Sequence, residues 1–309
     1  MMDLKEFVEN NPKLVKMKES KTYPGLFVVK YDRSVFYKNL WNDFLVECRG
    51  LVVDKDFNPV IRPFTKIFNR FERDTDINRD DMVLAVQKVN GFMAAATFVP
   101  SLGKVVVSTT GSLDSDFVKM AEDYITEDMK EQITNASHLY PITFLFEIVH
   151  PNDPHIIKEE AGAYLLGARS VHLPEAYGTN VVLEYTLDLT AAVFGCKRVD
   201  WKVLQFADLV KIAKTVKHEG FVVYSIDTPG KFLKIKSPFY LISKFLGRCG
   251  EKKIDHILTH LDCLKWGTID EEFFPLIRYL SENKDTFLAL DEQNRIAMVQ
   301  KYIEDTLYV

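Results

Sequence analysis

Near residue 238, the hydrophobic pattern of this 309-residue chain changes from mostly strand-like to helical. Before that point, short apolar runs alternate with polar turns, which is typical of β-strands. After it, apolar residues recur at intervals of three and four, which is typical of amphipathic helices. The change predicts an α+β chain in which a strand-rich part precedes a helical part.

The same patterns place the predicted elements along the chain. Strands are expected at 26–31, 50–54, 83–87, 92–98, 105–108, 141–149, 163–166, 181–183, 220–225 and 232–235. Helices are expected at 1–20, 115–135 and 205–217. Beyond Pro238, helical faces are formed by Ile254, Ile257, Leu258, Leu261 and Leu264, and by Ile296, Val299, Ile303 and Leu307. We therefore expect a first domain over 1–240 and a small all-α domain over 241–309, which is too poor in strands for a β-barrel.

Composition limits the class of protein and its compartment. With 47% hydrophobic and 27% charged residues, the chain is typical of a folded globular protein. Its net charge of −5 argues against a large surface that coats RNA nonspecifically, although a local basic cleft is compatible with it. The four cysteines lack the spacing of a zinc site or a disulfide framework, which fits a reducing compartment. The sequence contains no signal-peptide pattern and no apolar run near the roughly 18 residues of a membrane span, so we expect a cytoplasmic protein.

Lys88 is the first candidate for chemistry. The element Lys-x-x-Gly begins at Lys88, Lys217 and Lys244, and of these only Lys88 has strand-like apolar runs on both sides. A lysine at the end of a strand is held by rigid neighbours, and Gly91 lets the backbone approach a ligand closely. Such a lysine can attack phosphorus once it has lost its proton, which cationic neighbours or partial burial favour. A solvated lysine in a hairpin turn is the alternative interpretation of this element alone.

Two carboxylates and two lysines favour the chemical interpretation. Glu147 lies within an apolar run, and Glu219 directly precedes another. Burial of an unpaired carboxylate is costly, so each should have a ligand or a partner. Lys234 and Lys236 are two residues apart in a predicted strand and should therefore share one face. Their mutual repulsion predicts an anion between them, for which a phosphate is the natural candidate.

The order of these elements resembles that of the covalent nucleotidyltransferases, which comprise DNA ligases, RNA ligases and mRNA capping enzymes. The elements that carry the resemblance are Lys88-Val89-Asn90-Gly91, Phe146-Glu147, Glu219-Gly220-Phe221-Val222-Val223 and Lys234-Ile235-Lys236. Upstream, the segments similar to the signature of the phage-type RNA ligase 1 family are Glu47-Cys48-Arg49-Gly50-Leu51-Val52-Val53 and Pro63-Phe64-Thr65-Lys66-Ile67-Phe68-Asn69. The resemblance covers about residues 45–240. It implies a nucleotidyltransferase (ATP-grasp-like ligase) fold of antiparallel sheets flanked by helices, with the adenylyltransferase activity in the first domain.

The resemblance also implies a role for each matching residue. Lys88 would carry AMP, and Lys234 and Lys236 would complete the catalytic set by contacting the α-phosphate of ATP. Glu219 would help to hold a divalent metal, and Glu147 would contact the AMP ribose and is a second candidate metal ligand. The remaining roles in ATP binding would fall to Arg49 and Lys66 at the β- and γ-phosphates, to Asn90 and Gly91 in the nucleophile loop, and to Phe68 as a supporting aromatic residue.

The implied activity is that of an ATP-dependent RNA ligase that joins 5′-phosphate and 3′-hydroxyl RNA ends. Lys88 would take AMP from ATP, the AMP would pass to the RNA 5′-phosphate as a 5′-5′ anhydride, and the 3′-hydroxyl would then displace it. The implied cofactors are ATP and Mg²⁺, with Mn²⁺ as a substitute, and the implied partner is broken RNA, such as a nicked tRNA anticodon loop under repair. We expect a monomer without a membrane partner, in the host cytoplasm if the protein is viral. Removal of residues 245–309 should impair end joining more than adenylylation of the lysine.

Three departures from the family pattern leave alternatives open. Asn90 stands where many members have Asp, and Lys-x-Asn-Gly is instead similar to the fungal tRNA ligase branch, whose members prefer a 2′-phosphate at the 3′ end. Thr110 stands where the phage family tends to have Lys, so no phosphate role is assigned to it. The helical segment beyond 240 is short, and it argues against a capping enzyme or a DNA ligase, which usually continue into a β-barrel domain. A noncatalytic protein that binds nucleotide or RNA is the alternative of another class.

Overall fold

The computed structural model of the protein describes residues 4–137, 140–172, 181–248, 251–259 and 271–308. The strands in these ranges are β1 Val15–Glu19, β2 Phe27–Tyr31, β3 Arg49–Val53, β4 Pro59–Ile61, β5 Met82–Gln87, β6 Phe92–Val99, β7 Lys104–Thr109, β8 Ile142–Val149, β9 Gly162–Ser170, β10 Lys197–Arg198, β11 Trp201–Gln205, β12 Gly220–Ser225 and β13 Phe232–Lys236. The helices are α1 Leu4–Asn10, α2 Arg33–Tyr37, α3 Asp43–Glu47, α4 Asp116–Glu122, α5 Glu127–Ala136, α6 Val181–Phe194, α7 Phe206–Ala213, α8 Pro238–Arg248, α9 Glu251–Thr259, α10 Phe274–Glu282, α11 Lys284–Ala289 and α12 Glu292–Leu307. Short 3-10 helices lie at Glu72–Asp74, Pro100–Leu102 and Glu271–Phe273.

The chain divides into two compact units, and each is built from two separate stretches of sequence. The first unit comprises Met1–Ile67 and Val89–Asp200, and the second comprises Phe68–Lys88 and Trp201–Val309. The helices after residue 240 belong to the same unit as β5, β12 and β13. Whether residues 241–309 form a domain of their own stays a prediction.

The first unit contains two sheets. One has the strand order β1-β2-β3-β4 and the other has the order β10-β9-β8-β6-β7; β10 runs parallel to β9, and the other pairs are antiparallel. Successive side chains of a strand point to opposite faces. Ala95 and Leu145 therefore join a core shared with the first sheet, whereas Ala94 and Phe146 join a core shared with α4, α5 and α6.

The second unit contains one antiparallel sheet with the strand order β11-β5-β12-β13. Helix α7 contributes four buried residues at helical spacing, Phe206, Leu209, Val210 and Ala213. Because β12 lies between β5 and β13, the sheet order places the end of β5, the start of β12 and the end of β13 side by side. These are the positions at which the sequence has Lys88, Glu219 and the pair Lys234 and Lys236.

The predicted fold class is confirmed: antiparallel sheets are flanked by helices, and helices follow β13. All predicted strands are present except that at 181–183, which is wrong because these residues begin α6. A three-residue apolar run is too short to separate a strand from a helix. The buried residues of α6 that show its helical spacing, Leu187, Ala191 and Phe194, lie beyond that run.

The prediction of a helix over 1–20 is correct only for its first part. Helix α1 ends at Asn10, and 15–19 form strand β1. Pro12 follows the end of the helix, where its missing N–H and the restriction on the preceding residue oppose a helix. Pairing of Val15 with Tyr31 in β2 then supplies the backbone hydrogen bonds of this segment.

Some sequence predictions concern residues outside the described ranges. Leu261 and Leu264 of the first helical face fall there, whereas Ile254, Ile257 and Leu258 are buried as expected. Cys48 and Cys196 are free thiols, and burial raises the pKa of Cys48 to about 12, which fits an inert side chain. Among the helices in the described ranges, none has the length and apolar character needed to cross a membrane.

Candidate active site

Lys88 directly follows β5, as the sequence predicts. Its backbone N–H donates to the carbonyl oxygen of Gly220 at 2.9 Å, which extends the pairing of β5 with β12. Its ammonium lies 3.0 Å from Oε2 of Glu219. The side chain of Lys88 is 25% exposed and that of Glu219 is 3% exposed. The amine is therefore held at the end of a strand by a buried carboxylate, rather than in a solvated hairpin turn.

Gly220 allows β12 and β13 to approach each other closely beside Glu219. A Cβ added at Gly220 would lie 2.1 Å from the carbonyl oxygen of Ile235, and its φ of +135° is one that side-chain-bearing residues rarely adopt. The register pairs Gly220 with Lys236. As a result, the ammonium of Lys236 lies 3.7 Å from Oε1 of Glu219.

Lys234 and Lys236 share one face of β13, because the residues that alternate with them are buried. The backbone of Lys234 forms two hydrogen bonds with the start of the segment Phe68–Lys88, which belongs to the same unit. Its N–H donates to the carbonyl of Phe68 at 2.8 Å, and its carbonyl accepts from the N–H of Arg70 at 2.9 Å. Phe68 therefore lies next to one of the two lysines predicted to contact phosphate.

Within the part of the chain that the structure describes, two carboxylates face Lys236. Glu219 contributes the first, and Glu272 forms an ion pair with the same ammonium. Burial acts against the charged form of Lys236, but the carboxylates of Glu272 and Glu219 outweigh it and raise the pKa of this ammonium. The repulsion between the two lysines of β13 therefore does not by itself require a phosphate.

Glu272 is a member of this cluster that the sequence patterns do not single out. It lies in the 3-10 helix before α10, and its Oε1 is 2.5 Å from the ammonium of Lys244 in α8. Its side chain is 7% exposed. Burial disfavours the charged form of Glu272, but Lys236 and Lys244 overcome this effect and lower the pKa of its carboxyl to about 2.

In the first unit, Glu147 contacts the glycine of the predicted nucleophile loop. The N–H of Gly91 donates to Oε1 of Glu147 at 3.1 Å, and Glu147 is 7% exposed. A Cβ added at Gly91 would lie 2.2 Å from the carbonyl oxygen of Ile148, so only glycine fits this approach of the loop to β8. The buried carboxylate of Glu147 therefore has a hydrogen-bond partner, as expected from its burial, and one of its contacts is a neutral backbone amide.

Asn90 is buried beside this contact. Its Oδ1 accepts a hydrogen bond from the N–H of Ile157 at 3.1 Å, which ties the nucleophile loop to the segment after β8. An aspartate oxygen at this position would accept the same bond. The departure from the family pattern at Asn90 therefore preserves this contact and removes a charge.

Arg49 and Lys66 also lie in the first unit, near the residues of helices α2 and α3. Arg49 opens β3, and its Nη1 lies 3.5 Å from the sulfur of Met93. Lys66 is buried, and its ammonium lies 5.0 Å and 5.6 Å from the ring centroids of Phe36 and Trp41. Aromatic faces attract an ammonium, so the two rings fix the position of the Lys66 side chain.

A partly buried ion cluster next to these residues was not predicted. Glu47 accepts two hydrogen bonds from Arg62, at 2.9 Å and 3.3 Å, and two from Arg169, at 3.2 Å and 3.4 Å. Arg169 also donates to the carbonyl oxygen of Pro63. Two-point binding by a guanidinium is strong and directional. The cluster therefore fixes the backbone between Glu47 and Pro63, which includes Arg49.

The described residues contain no group of three or more His, Cys, Asp and Glu that could hold a metal ion. The two oxygens of Glu219 face Lys88 and Lys236, so a cation bound to Glu219 would share these oxygens with the two ammonium groups. Mg²⁺ commonly keeps several waters and binds through one or two carboxylates together with substrate phosphates. A single carboxylate such as Glu219 fits that pattern.

Antiparallel sheets flanked by helices, with a strand-end lysine beside a buried carboxylate, are the arrangement expected of the nucleotidyltransferase ligases. The profile of the phage T4-type family described as RNA ligase matches residues 47–245 of this chain. The match covers more than half of the chain, and the chain belongs to this RNA ligase family. No curated protein is significantly similar to the chain in sequence.

Solved structures of ligases have the same fold. The structure of an archaeal ATP-dependent RNA ligase is similar to this chain, with 16% identity and a TM-score of 0.54. The match covers 98% of this chain and 76% of the archaeal chain. A protein of Aquifex aeolicus assigned as an ATP-dependent DNA ligase is also similar, with 14% identity and a TM-score of 0.54. This match covers 98% of this chain and 80% of the Aquifex chain. The chain is thus an RNA ligase with the nucleotidyltransferase fold of ATP-dependent ligases.

Proposed function

We propose that this RNA ligase uses ATP by forming a covalent lysyl-AMP intermediate on Lys88. The observation that carries the proposal is the position of Lys88 at the end of β5, with its ammonium 3.0 Å from Glu219. A solvated lysine would not be held by a buried carboxylate. A lysine that is buried by packing alone would not face a carboxylate that a second ammonium also faces. The lysine is rigidly placed and still partly accessible to a nucleotide.

In the proposed first step, the amine of Lys88 attacks the α-phosphorus of ATP and pyrophosphate leaves. The ammonium must first lose a proton, and the carboxylate of Glu219 is within reach to accept it. Lys234 and Lys236 neutralise the charge that develops on the α-phosphate, which is the main requirement of phosphoryl-type transfer. The shared face of the two lysines on β13 supports this role.

The residues of the first unit are proposed to bind the rest of the nucleotide. Glu147 contacts the AMP ribose, and Asn90 and Gly91 shape the backbone after the nucleophile. Arg49 and Lys66 bind the β- and γ-phosphates and orient the pyrophosphate. Two observations support these roles: the chain belongs to the RNA ligase family, and contacts hold some of these residues in place. The aromatic rings hold Lys66, and the N–H of Gly91 donates to Glu147.

The remaining two steps act on RNA. AMP passes from Lys88 to an RNA 5′-phosphate, and an RNA 3′-hydroxyl then attacks this 5′-5′ anhydride and releases AMP. We propose broken RNA, such as a nicked tRNA anticodon loop under repair, as the substrate of a monomeric cytoplasmic enzyme. A divalent cation, Mg²⁺ or in its place Mn²⁺, would be held through Glu219, with Glu147 as a second candidate, and would supply further charge neutralisation at the phosphates.

The Lys-x-Asn-Gly element favours one second candidate, a ligase that prefers a 2′-phosphate at the 3′ end. Asn90 makes its contact with Ile157 without a charge, as described above. The test is a joining assay on a nicked hairpin RNA with a 5′-phosphate, presented with either a plain 3′-hydroxyl end or the same end carrying a 2′-phosphate. Efficient joining of the plain end is expected. Joining that requires the 2′-phosphate would favour the second candidate, and joining of neither end would contradict the proposed activity on RNA.

A further inference from the structure

Lys236 is held by the helical segment that follows it as well as by its own sheet. Glu219 approaches its ammonium from the start of β12 at 3.7 Å, and Glu272 forms an ion pair with it from the 3-10 helix before α10. The hydroxyl of Tyr308, which follows α12, donates to the backbone carbonyl of Lys236. Two elements beyond residue 240 thus contact one lysine at the end of β13.

The contact made by Glu272 is built from buried groups. Its Oε2 binds Lys236 and its Oε1 binds Lys244 at 2.5 Å, so each oxygen holds one ammonium. The side chains of Lys236, Lys244 and Glu272 are 10%, 9% and 7% exposed. Loss of one charge from such a buried group leaves its partners uncompensated. The position of the Lys236 ammonium therefore depends on a residue 36 positions further along the chain.

A lysine side chain is long and flexible, and its ammonium is a point charge without a preferred direction. A lysine that stabilises a transition state must nevertheless be in place before the reaction begins, because displacements of about 1 Å can cost 100-fold in rate. Glu219 alone holds Lys236 loosely, because its Oε1 lies 3.7 Å from the Lys236 ammonium and its other oxygen faces Lys88 at 3.0 Å. The second carboxylate supplies the missing constraint.

We propose that Glu272 is a positioning residue that sets the ammonium of Lys236 for contact with the α-phosphate of ATP. The proposal rests on the proposed function of Lys88 and Lys236. According to this proposal, the helical segment beyond residue 240 contributes to the first step, the formation of lysyl-AMP, through Glu272. The contacts of Glu272 and Tyr308 accordingly revise the expectation that removal of 245–309 would leave adenylylation of the lysine partly intact: the truncated chain should lose it.

Lys244 provides a matched control. It binds the same carboxylate and is equally buried, but it is not part of the nucleotide-contacting set. If Glu272 only fastens helix α8 to the segment before α10, Glu272→Gln and Lys244→Gln should have equal effects on adenylylation. If Glu272 positions Lys236, Glu272→Gln should be far more harmful to the rate, while both variants lose similar stability.

The test measures the rate of lysyl-AMP formation against ATP concentration in the full chain, together with the melting temperature of each variant. For Glu272→Gln we expect the rate at saturating ATP to fall about 10- to 100-fold with little change in the ATP concentration at half-saturation, since the contact acts mainly in the transition state. Lys244→Gln should stay within about threefold of the wild type. Glu272→Asp, which keeps the charge, should recover part of the lost rate.

Equal losses of rate in Glu272→Gln and Lys244→Gln would overturn the proposal, as would a wild-type rate in Glu272→Gln. If Glu272→Gln does not fold, Glu272→Asp carries the test, because it keeps the charge but shortens the side chain by one carbon and so withdraws the carboxylate from the ammonium of Lys236. A severalfold loss of rate in that folded variant is expected, and a wild-type rate would again overturn the proposal. A wild-type protein that forms no lysyl-AMP would instead contradict the proposed function itself.

Discussion

Glu147 in the first unit and Glu219 in the second are both buried carboxylates associated with apolar strands, and the contacts described above for them differ. Glu147 accepts a hydrogen bond from the backbone N–H of Gly91, whereas Glu219 faces the ammonium groups of Lys88 and Lys236. The bond from the Gly91 amide needs only an acceptor oxygen, whereas two ammonium groups that face one buried side chain need a negative charge. The comparison contrasts a carboxylate that holds a loop with one that balances two positive charges.

Each carboxylate lies near a glycine at which two backbone segments come close. The second glycine, Gly220, is more constrained than the first, Gly91. A Cβ at Gly91 would meet the carbonyl oxygen of Ile148 at 2.2 Å, and a Cβ at Gly220 would meet that of Ile235 at 2.1 Å. Gly220 in addition has a φ of +135°, whereas Gly91 lies outside this left-handed region. The second unit therefore depends more strongly on its glycine than the first.

The largest effect is expected from alanine at these glycines. Gly220→Ala should lower the free energy of unfolding by about 3 kcal/mol or more, because the clash is with backbone and the φ is strained. Gly91→Ala should cost about 2 kcal/mol, since it meets the clash alone. Gly111→Ala is the control, because a Cβ there has its nearest neighbour, the ammonium of Lys30, at 4.0 Å. Denaturant unfolding of the three variants measures the order, and a Gly91→Ala variant as stable as Gly111→Ala would contradict it.

A smaller effect should separate the two carboxylates in the rate of lysyl-AMP formation. Glu219→Gln removes the charge that faces two ammonium groups, so lysyl-AMP formation should fall about 100-fold or more. Glu147→Gln keeps an oxygen that can accept from Gly91, so its loss should be nearer to about 10-fold and its melting temperature close to that of the wild type. Single-turnover adenylylation with labelled ATP gives both rates. A greater loss in Glu147→Gln than in Glu219→Gln would reverse the assigned difference between the units.

Much of the fold follows from local patterns in the sequence. Strands with alternating or continuous apolar residues were predictable because their period differs from that of helices. Lys88 at the end of β5 and the shared face of Lys234 and Lys236 followed from the same periods. The start of α6 did not, because a run of three apolar residues is compatible with both structures.

The residues that hold the reactive groups were less predictable than the reactive groups themselves. Glu272 lies in the acidic run Asp270-Glu271-Glu272 of a helical segment, where a solvated face is the usual interpretation. Its burial between Lys236 and Lys244 depends on the packing of helices that are distant in sequence. Glu47 and Arg169 are likewise 122 positions apart, and no local pattern joins them. Tertiary contacts of this kind leave no periodic signal in a single sequence.

The central claim is that Lys88 carries AMP, and the chain supplies a control in Lys217, which begins a second Lys-x-x-Gly element. The measurement is incubation of the wild type, Lys88→Arg and Lys217→Arg with α-labelled ATP and Mg²⁺, followed by denaturation in detergent at neutral pH and mapping of the labelled peptide. The account predicts a covalent AMP adduct that survives this denaturation and is labile in acid, as a phosphoramidate is, on the peptide that contains Lys88, lost in Lys88→Arg and retained in Lys217→Arg. An adduct that persists in Lys88→Arg, or no adduct on the wild type, would contradict it.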